Sequence, residues 1–129
     1  MKIWVDDVRP APEGYLWCKS VDEAKTMIEH LENAFNSLGE LSYQMTSYNN
    51  LNGEEYKKVI ACCMSLEIEF IDLDYDSGDY EKDGGPYIKL MDWLVERGTL
   101  YPLAFHSQNC VGMEYMKRMY RRYWLGESL

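Results

Sequence analysis

A chain of 129 residues with 47% hydrophobic residues has the size and composition of one domain with its own core, which excludes a disordered chain. Its formal net charge of -9 disfavours binding to duplex DNA, where affinity rests on many phosphate contacts. Mean hydropathy is -0.44, and no apolar run approaches the roughly 18 residues that a bilayer span requires.

The first strand is expected at residues 1–5. It begins without a basic-then-apolar signal region, which predicts a cytoplasmic location. Residues 6–14 hold Asp6, Asp7, Arg9, Pro10, Pro12 and Gly14 and form a loop with no room for a helix. A second short strand follows at 15–19. Ser20 and Glu23 then stand at capping-box spacing, and Val21, Ala24, Ile28, Leu31 and Phe35 recur at helical spacing. A helix is therefore expected over 20–38, stopped by Gly39. Residues 40–53 are rich in Ser, Asn and Tyr and read as a long loop, with a short strand near 43–46. Helical spacing resumes over 54–64.

Residues 66–74 form the central strand, running into the acids Asp72, Asp74 and Asp76. A Gly-rich polar loop over 76–85 precedes a helix that starts near Pro86 and ends at Gly98. A last strand at 102–105 ends in His106 and Ser107, and a final helix spans about 111–124. Strands alternating with helices predict a parallel sheet with helices on its faces in a single domain over 1–129. The cysteines Cys18, Cys62, Cys63 and Cys110 lack zinc-like pairing and are expected as reduced thiols.

Three strand ends converge on one rim: Asp6-Asp7, Asp74-Asp76, and His106-Ser107 with Asn109. Carboxylate oxygens are hard ligands, and crowded carboxylates repel one another unless a cation sits among them. A divalent metal site at Asp6, Asp7, Asp74 and Asp76 is the expectation, with magnesium as the natural ion. Asp72 lies deeper in its strand and reads as an exposed or paired acid. His106 beside small polar residues and a helix start suits proton transfer next to a bound phosphate, with Ser107, Asn109 and the amides near Gly112 as phosphate contacts. Arg9 either pairs with the acids or reaches that phosphate. His30 falls on the surface of the first helix. Lys117, Arg118, Arg121 and Arg122 recur at spacings of three and four on the last helix. They make either a solvated face or a surface for RNA or an acidic protein.

Three ordered motifs carry a family resemblance. Residues 3–14 (Ile-Trp-Val-Asp-Asp-Val-Arg-Pro-Ala-Pro-Glu-Gly) resemble the start of the cyclic-phosphate-processing receiver domain family. Residues 73–78 (Leu-Asp-Tyr-Asp-Ser-Gly) stand where that family has Leu-Asp-His-Asp-Leu-Gly. His106, Ser107, Asn109 and Gly112 match its His-Ser-x-Asn-x-x-Gly. The resemblance implies a three-layer, receiver-like (flavodoxin-like) α/β domain, with about four mostly parallel strands and helices on both faces. It implies a shortened receiver, lacking the helix between the first two strands and the fifth strand with its lysine. Residues 40–64 would be an insertion.

With the carboxylate cluster, the resemblance leads to the expectation of a magnesium- or manganese-dependent phosphoesterase. Its ligand is a cyclic phosphate on a nucleotide or at an RNA end, with Asp6, Asp7, Asp74 and Asp76 at the metal and His106 as general acid or base. Two alternatives stand beside it. One is a signalling module that accepts phosphate on Asp74; the other is a protein that binds a cyclic nucleotide without cleaving it, Tyr75 having replaced the motif's His.

Overall fold

The computed structural model describes residues 1–47 and 53–127. Four strands, β1 (Lys2–Val5), β2 (Tyr15–Cys18), β3 (Phe70–Leu73) and β4 (Leu103–Phe105), form one sheet in the order β2-β1-β3-β4. Every neighbouring pair is parallel. Helices α1 (Val21–Ser47), α2 (Gly53–Ser65), α3 (Ile88–Arg97) and α4 (Cys110–Tyr123) follow in the expected alternation, with a 3-10 turn at Gly78–Tyr80. None of the described helices is long and apolar enough to cross a membrane.

The period of two explains what each strand buries. Ile3, Val5, Cys18, Ile71 and Leu73 point to one face and are buried. Val21, Ala24, Ile28 and Leu31 of α1 join them there, with Leu90, Met91 and Leu94 of α3 and Met116 of α4. The opposite face carries Lys2, Trp4, Tyr15, Trp17, Phe70 and Asp72, all half-buried.

The four-stranded receiver-like sheet is as expected, but the described helices gather on one face rather than two. Crossovers from β2 to β3 and from β3 to β4 step the same way along the sheet. Right-handed connections therefore place their helices on one side. Only a helix between β1 and β2, or one after a further strand, would reach the other side. The Pro10–Gly14 segment leaves no room for the first. Aromatic rings cover the second face instead: Trp4 meets Tyr15 edge-on at 6.0 Å, and Tyr15 meets Phe70 at 5.8 Å.

Helix α1 differs from expectation at its end. Ser20 caps its start, its Oγ accepting from the Glu23 amide at 3.0 Å. The helix then continues through Gly39 to Ser47, so residues 43–46 are helical rather than extended. A glycine inside a helix costs about 1 kcal/mol relative to alanine. Packing of α1 along α2 offsets that: Cys63 is buried and its Sγ donates to the Phe35 carbonyl. The remainder of the expected loop, residues 48–52, lies outside the described residues.

The cysteines make a first test. Burial pushes the Cys18 thiol up to about 12, and Cys63 is also buried, whereas Cys62 and Cys110 are exposed. Iodoacetamide on native protein is expected to label Cys62 and Cys110, with Cys18 and Cys63 reacting only after denaturation. Native-rate labelling of Cys18, read by peptide mass spectrometry, would contradict this core.

Candidate active site

Parallel register brings the site together. Trp4 lies opposite Asp72, and Asp72 opposite Ala104. One step further the ladder continues: the Asp74 amide donates to the Val5 carbonyl at 2.9 Å and the His106 amide to Leu73 at 3.0 Å. Two-residue alternation then places Trp4, Asp6, Asp72, Asp74 and His106 on one face, at the carboxyl ends of three adjacent strands. That edge is where open α/β sheets bind ligands.

His106 is clamped in the middle. Its Nδ1 lies 2.6 Å from Asp72 Oδ1 and its Nε2 lies 2.9 Å from Asp6 Oδ2. The ring stacks on Trp4 with centroids 3.7 Å apart and planes 6° apart. Burial alone would lower the affinity of the imidazole for its proton. The two carboxylates more than offset this, and the pKa is raised. An acceptor faces each ring nitrogen, an arrangement that favours the protonated ring.

Asp6 is fully buried and is fixed from every side. Its Oδ1 accepts from the amides of Val8 (2.9 Å) and Arg9 (2.7 Å), and its carbonyl accepts from Trp17 Nε1 at 2.7 Å. Asp74, 9% exposed, uses Oδ1 to accept from the Tyr75 amide. Asp6, Asp74 and His106 each offer a ligand atom within 4.8 Å of the others.

Asp7 stands outside that trio. A Cβ on Gly78 would lie 2.2 Å from Asp7 Oδ2, so the carboxylate lies in space that only a glycine leaves free. Burial raises the Asp7 pKa, and the charges of Asp6, Asp74 and Asp76 raise it further. This crowd of oxygen donors, repelling one another, fits a hard divalent cation. In metal-free protein the sign is unfavourable. A carboxyl whose folded pKa exceeds its unfolded value loses stability as pH rises through that window, so ionised Asp7 destabilises at neutral pH. Asp7→Asn is thus expected to raise Tm in EDTA while weakening the stabilisation by added metal, both read by thermal denaturation. A fall in Tm in EDTA would show that Asp7 is not under repulsion.

The remaining residues sit around this centre. Asn109 caps α4, its Oδ1 accepting from the Gly112 amide at 2.9 Å, while its Nδ2 donates to Asp76 Oδ2 at 3.3 Å. Ser107 Oγ accepts from the Asn109 amide at 3.1 Å. Arg9 Nη1 donates to the His106 carbonyl at 2.9 Å, a backbone partner rather than an acid. Gly112 lies under the ring of Tyr75: a Cβ there would fall 2.3 Å from Tyr75 Cγ. His30 is exposed on α1.

Sequence reasoning left several contributors unassigned. Asp72 holds the outer nitrogen of His106, and Trp4 supplies the surface beneath it. Parity with Asp74 and His106 was the available signal for both. Tyr87 is fully buried and its Oη donates to the Lys19 carbonyl at 2.6 Å, tying the start of α3 to the end of β2. Its phenol is pushed up by burial and then by Asp7, Asp6 and Asp74. Ser77 is buried with an Oγ that has no hydrogen-bond partner.

A family model described as the cyclic-phosphate processing receiver domain matches residues 1–59 and 51–122, two overlapping stretches that meet in the α1–α2 region. No curated protein and no solved structure gave a match.

Proposed function

This chain belongs to the cyclic-phosphate processing receiver domain family, and on that premise we propose that its strand-end rim is the active site of a divalent-metal-dependent phosphoesterase. The substrate class is a cyclic phosphate, on a nucleotide or at an RNA end. The observation that carries this reading is the imidazole of His106, held between Asp72 and Asp6 with a ligand atom within 4.8 Å of one on Asp74.

Each residue then has a task. Asp72 fixes the Nδ1–H and so orients the ring. Nε2 carries the proton that the leaving alkoxide requires as the cyclic ester opens. Stacking on Trp4 stabilises the charged ring and keeps water from one side of it. Asp6, Asp7 and Asp74 would hold magnesium or manganese, with Asp76 beside them. When bound, the ion polarises a phosphoryl oxygen and activates water. Ser107, Asn109 and Arg9 border the place of the phosphate. A proton donor at His106 also makes a histidine at position 75 dispensable for that step, so Tyr75 is compatible with turnover.

The test is direct. Wild-type protein is incubated with a panel of cyclic mononucleotides and RNAs ending in a 2',3'-cyclic phosphate, with magnesium, with manganese and with EDTA. Metal-dependent ring opening of a panel member is the expected result. Binding without turnover under all three conditions would overturn the enzyme and favour a sequestering protein. Stable labelling of Asp74 by acetyl phosphate would favour a signalling module.

A further inference from the structure

Helix α4 starts at the rim and carries an unusual surface away from it. Four of the 13 lysines and arginines of the chain fall within residues 117–122, in a protein of net charge -9. Lys117, Arg118, Arg121 and Arg122 are all exposed, and among the described residues none is paired with an acid. Cations in the last turn of a helix complement its dipole, which accounts for Arg121 and Arg122. The dipole does not account for the apolar residues beside them. Val111 is 83% exposed and Tyr115 is 56% exposed.

Helical spacing joins these residues. Val111, Tyr115, Arg118 and Arg122 succeed one another at intervals of four, three and four, so they form one stripe along the outer side of α4. The buried residues of that helix, Gly112 and Met116, lie on its other side. The stripe begins one turn from Asn109 and Ser107 and extends about 16 Å along the axis. It offers, in order, an apolar contact, an aromatic ring and two guanidinium groups.

We propose that this stripe docks single-stranded RNA and leads its 3' end, carrying the cyclic phosphate, into the rim. The proposal rests on the phosphoesterase reading and narrows its substrate class from a free cyclic nucleotide to an RNA terminus. Single strands are held by stacking on aromatic rings and by cations along the backbone, and the stripe supplies both. An acidic protein would be met by the cations alone, with no need of an exposed ring between them and a phosphate site. The acidic remainder of the surface repels duplex but leaves this edge open to a strand end.

The experiment compares wild type with Arg118→Glu/Arg122→Glu. The probes are a short fluorescein-labelled single-stranded RNA for binding, and RNA ending in a 2',3'-cyclic phosphate beside the cyclic mononucleotide for turnover. Reversal of both charges is expected to weaken RNA binding at least about tenfold and to flatten its salt dependence by about 0.7 in log–log slope per lost contact. Turnover of the mononucleotide should be unchanged. Where charge reversal frays the helix end, Arg118→Ala/Arg122→Ala with Tyr115→Ala serves the same comparison. RNA affinity equal in wild type and variant would overturn the proposal. So would loss of polyglutamate binding with RNA affinity intact, which marks the stripe as a surface for acidic proteins. If no cyclic phosphate is turned over by wild type but RNA binding still depends on the stripe, the phosphoesterase reading fails and the docking surface stands.

Discussion

Alanine at Asp74 should abolish metal-dependent turnover together with the rise in Tm that magnesium or manganese gives the wild type. Alanine at His106 should keep that rise and lose about 10²–10⁴ in kcat. The two substitutions separate because the residues do different things at one rim. On the proposed reading Asp74 is a metal ligand that its removal would take away, and its charge also bears on Asp7. His106 faces carboxylates through both nitrogens, 2.6 Å from Asp72 and 2.9 Å from Asp6, and on the proposed reading gives the proton. Turnover assays and thermal denaturation with and without metal read both outcomes. A His106 variant that also lost the metal-induced rise would make the imidazole a ligand instead of a donor.

The same clamp predicts a pH dependence in metal-free protein. The folded pKa of His106 is raised, because Asp72 and Asp6 outweigh the opposing effect of burial. The native state therefore binds the proton more tightly than the unfolded chain. The stabilisation is fully present below the ordinary imidazole value of about 6.5 and is lost as pH rises through the folded value. Tm of the wild type in EDTA should fall across that window more steeply than Tm of His106→Gln, which does not titrate there. Parallel curves for the two proteins would show that the clamp does not hold an imidazolium.

The acids at the strand ends were legible in the sequence because an apolar run that stops abruptly at Asp6-Asp7, or at Asp74, marks the carboxyl end of a buried strand, the ligand-binding edge of an α/β sheet. The Asp72–His106 contact was not, because it joins residues 34 apart and depends on a register between β3 and β4 that no local pattern encodes. Asp72 read as either an exposed or a paired acid, and the structure pairs it with His106, a partner that nothing near it in sequence supplies. Gly39 misled for a different reason. Its local preference to end a helix is worth about 1 kcal/mol, and the packing of α1 on α2 exceeds it. The open sheet face follows from topology alone. Alternation of strands and helices gives the right elements, but the side on which each helix lands depends on strand order, which emerged only with the structure.

Gly112→Ala should destabilise the protein by about 1–3 kcal/mol, although alanine is ordinarily the better residue inside a helix. The new Cβ would sit 2.3 Å from Tyr75 Cγ and 2.4 Å from Cδ1. Those are atoms at the root of the ring, so no rotation of its far end relieves the clash. The whole side chain must leave its place against the core, and the loop that carries Asp74 and Asp76 must shift with it. Tyr75→Ala loses packing of its own but opens that space. The two substitutions are therefore expected to be strongly non-additive, with the alanine at 112 costing little once the ring is gone. Urea denaturation of the two single variants and the double variant measures the coupling, and additive losses would refute the contact. A histidine at 75 places its own Cγ where the tyrosine has one, so Tyr75→His should be tolerated while leaving the penalty at 112 in force. The glycine of the third motif is thus matched to a ring in the second, whichever ring that is, and the pairing holds the acidic loop of β3 against the first turn of α4.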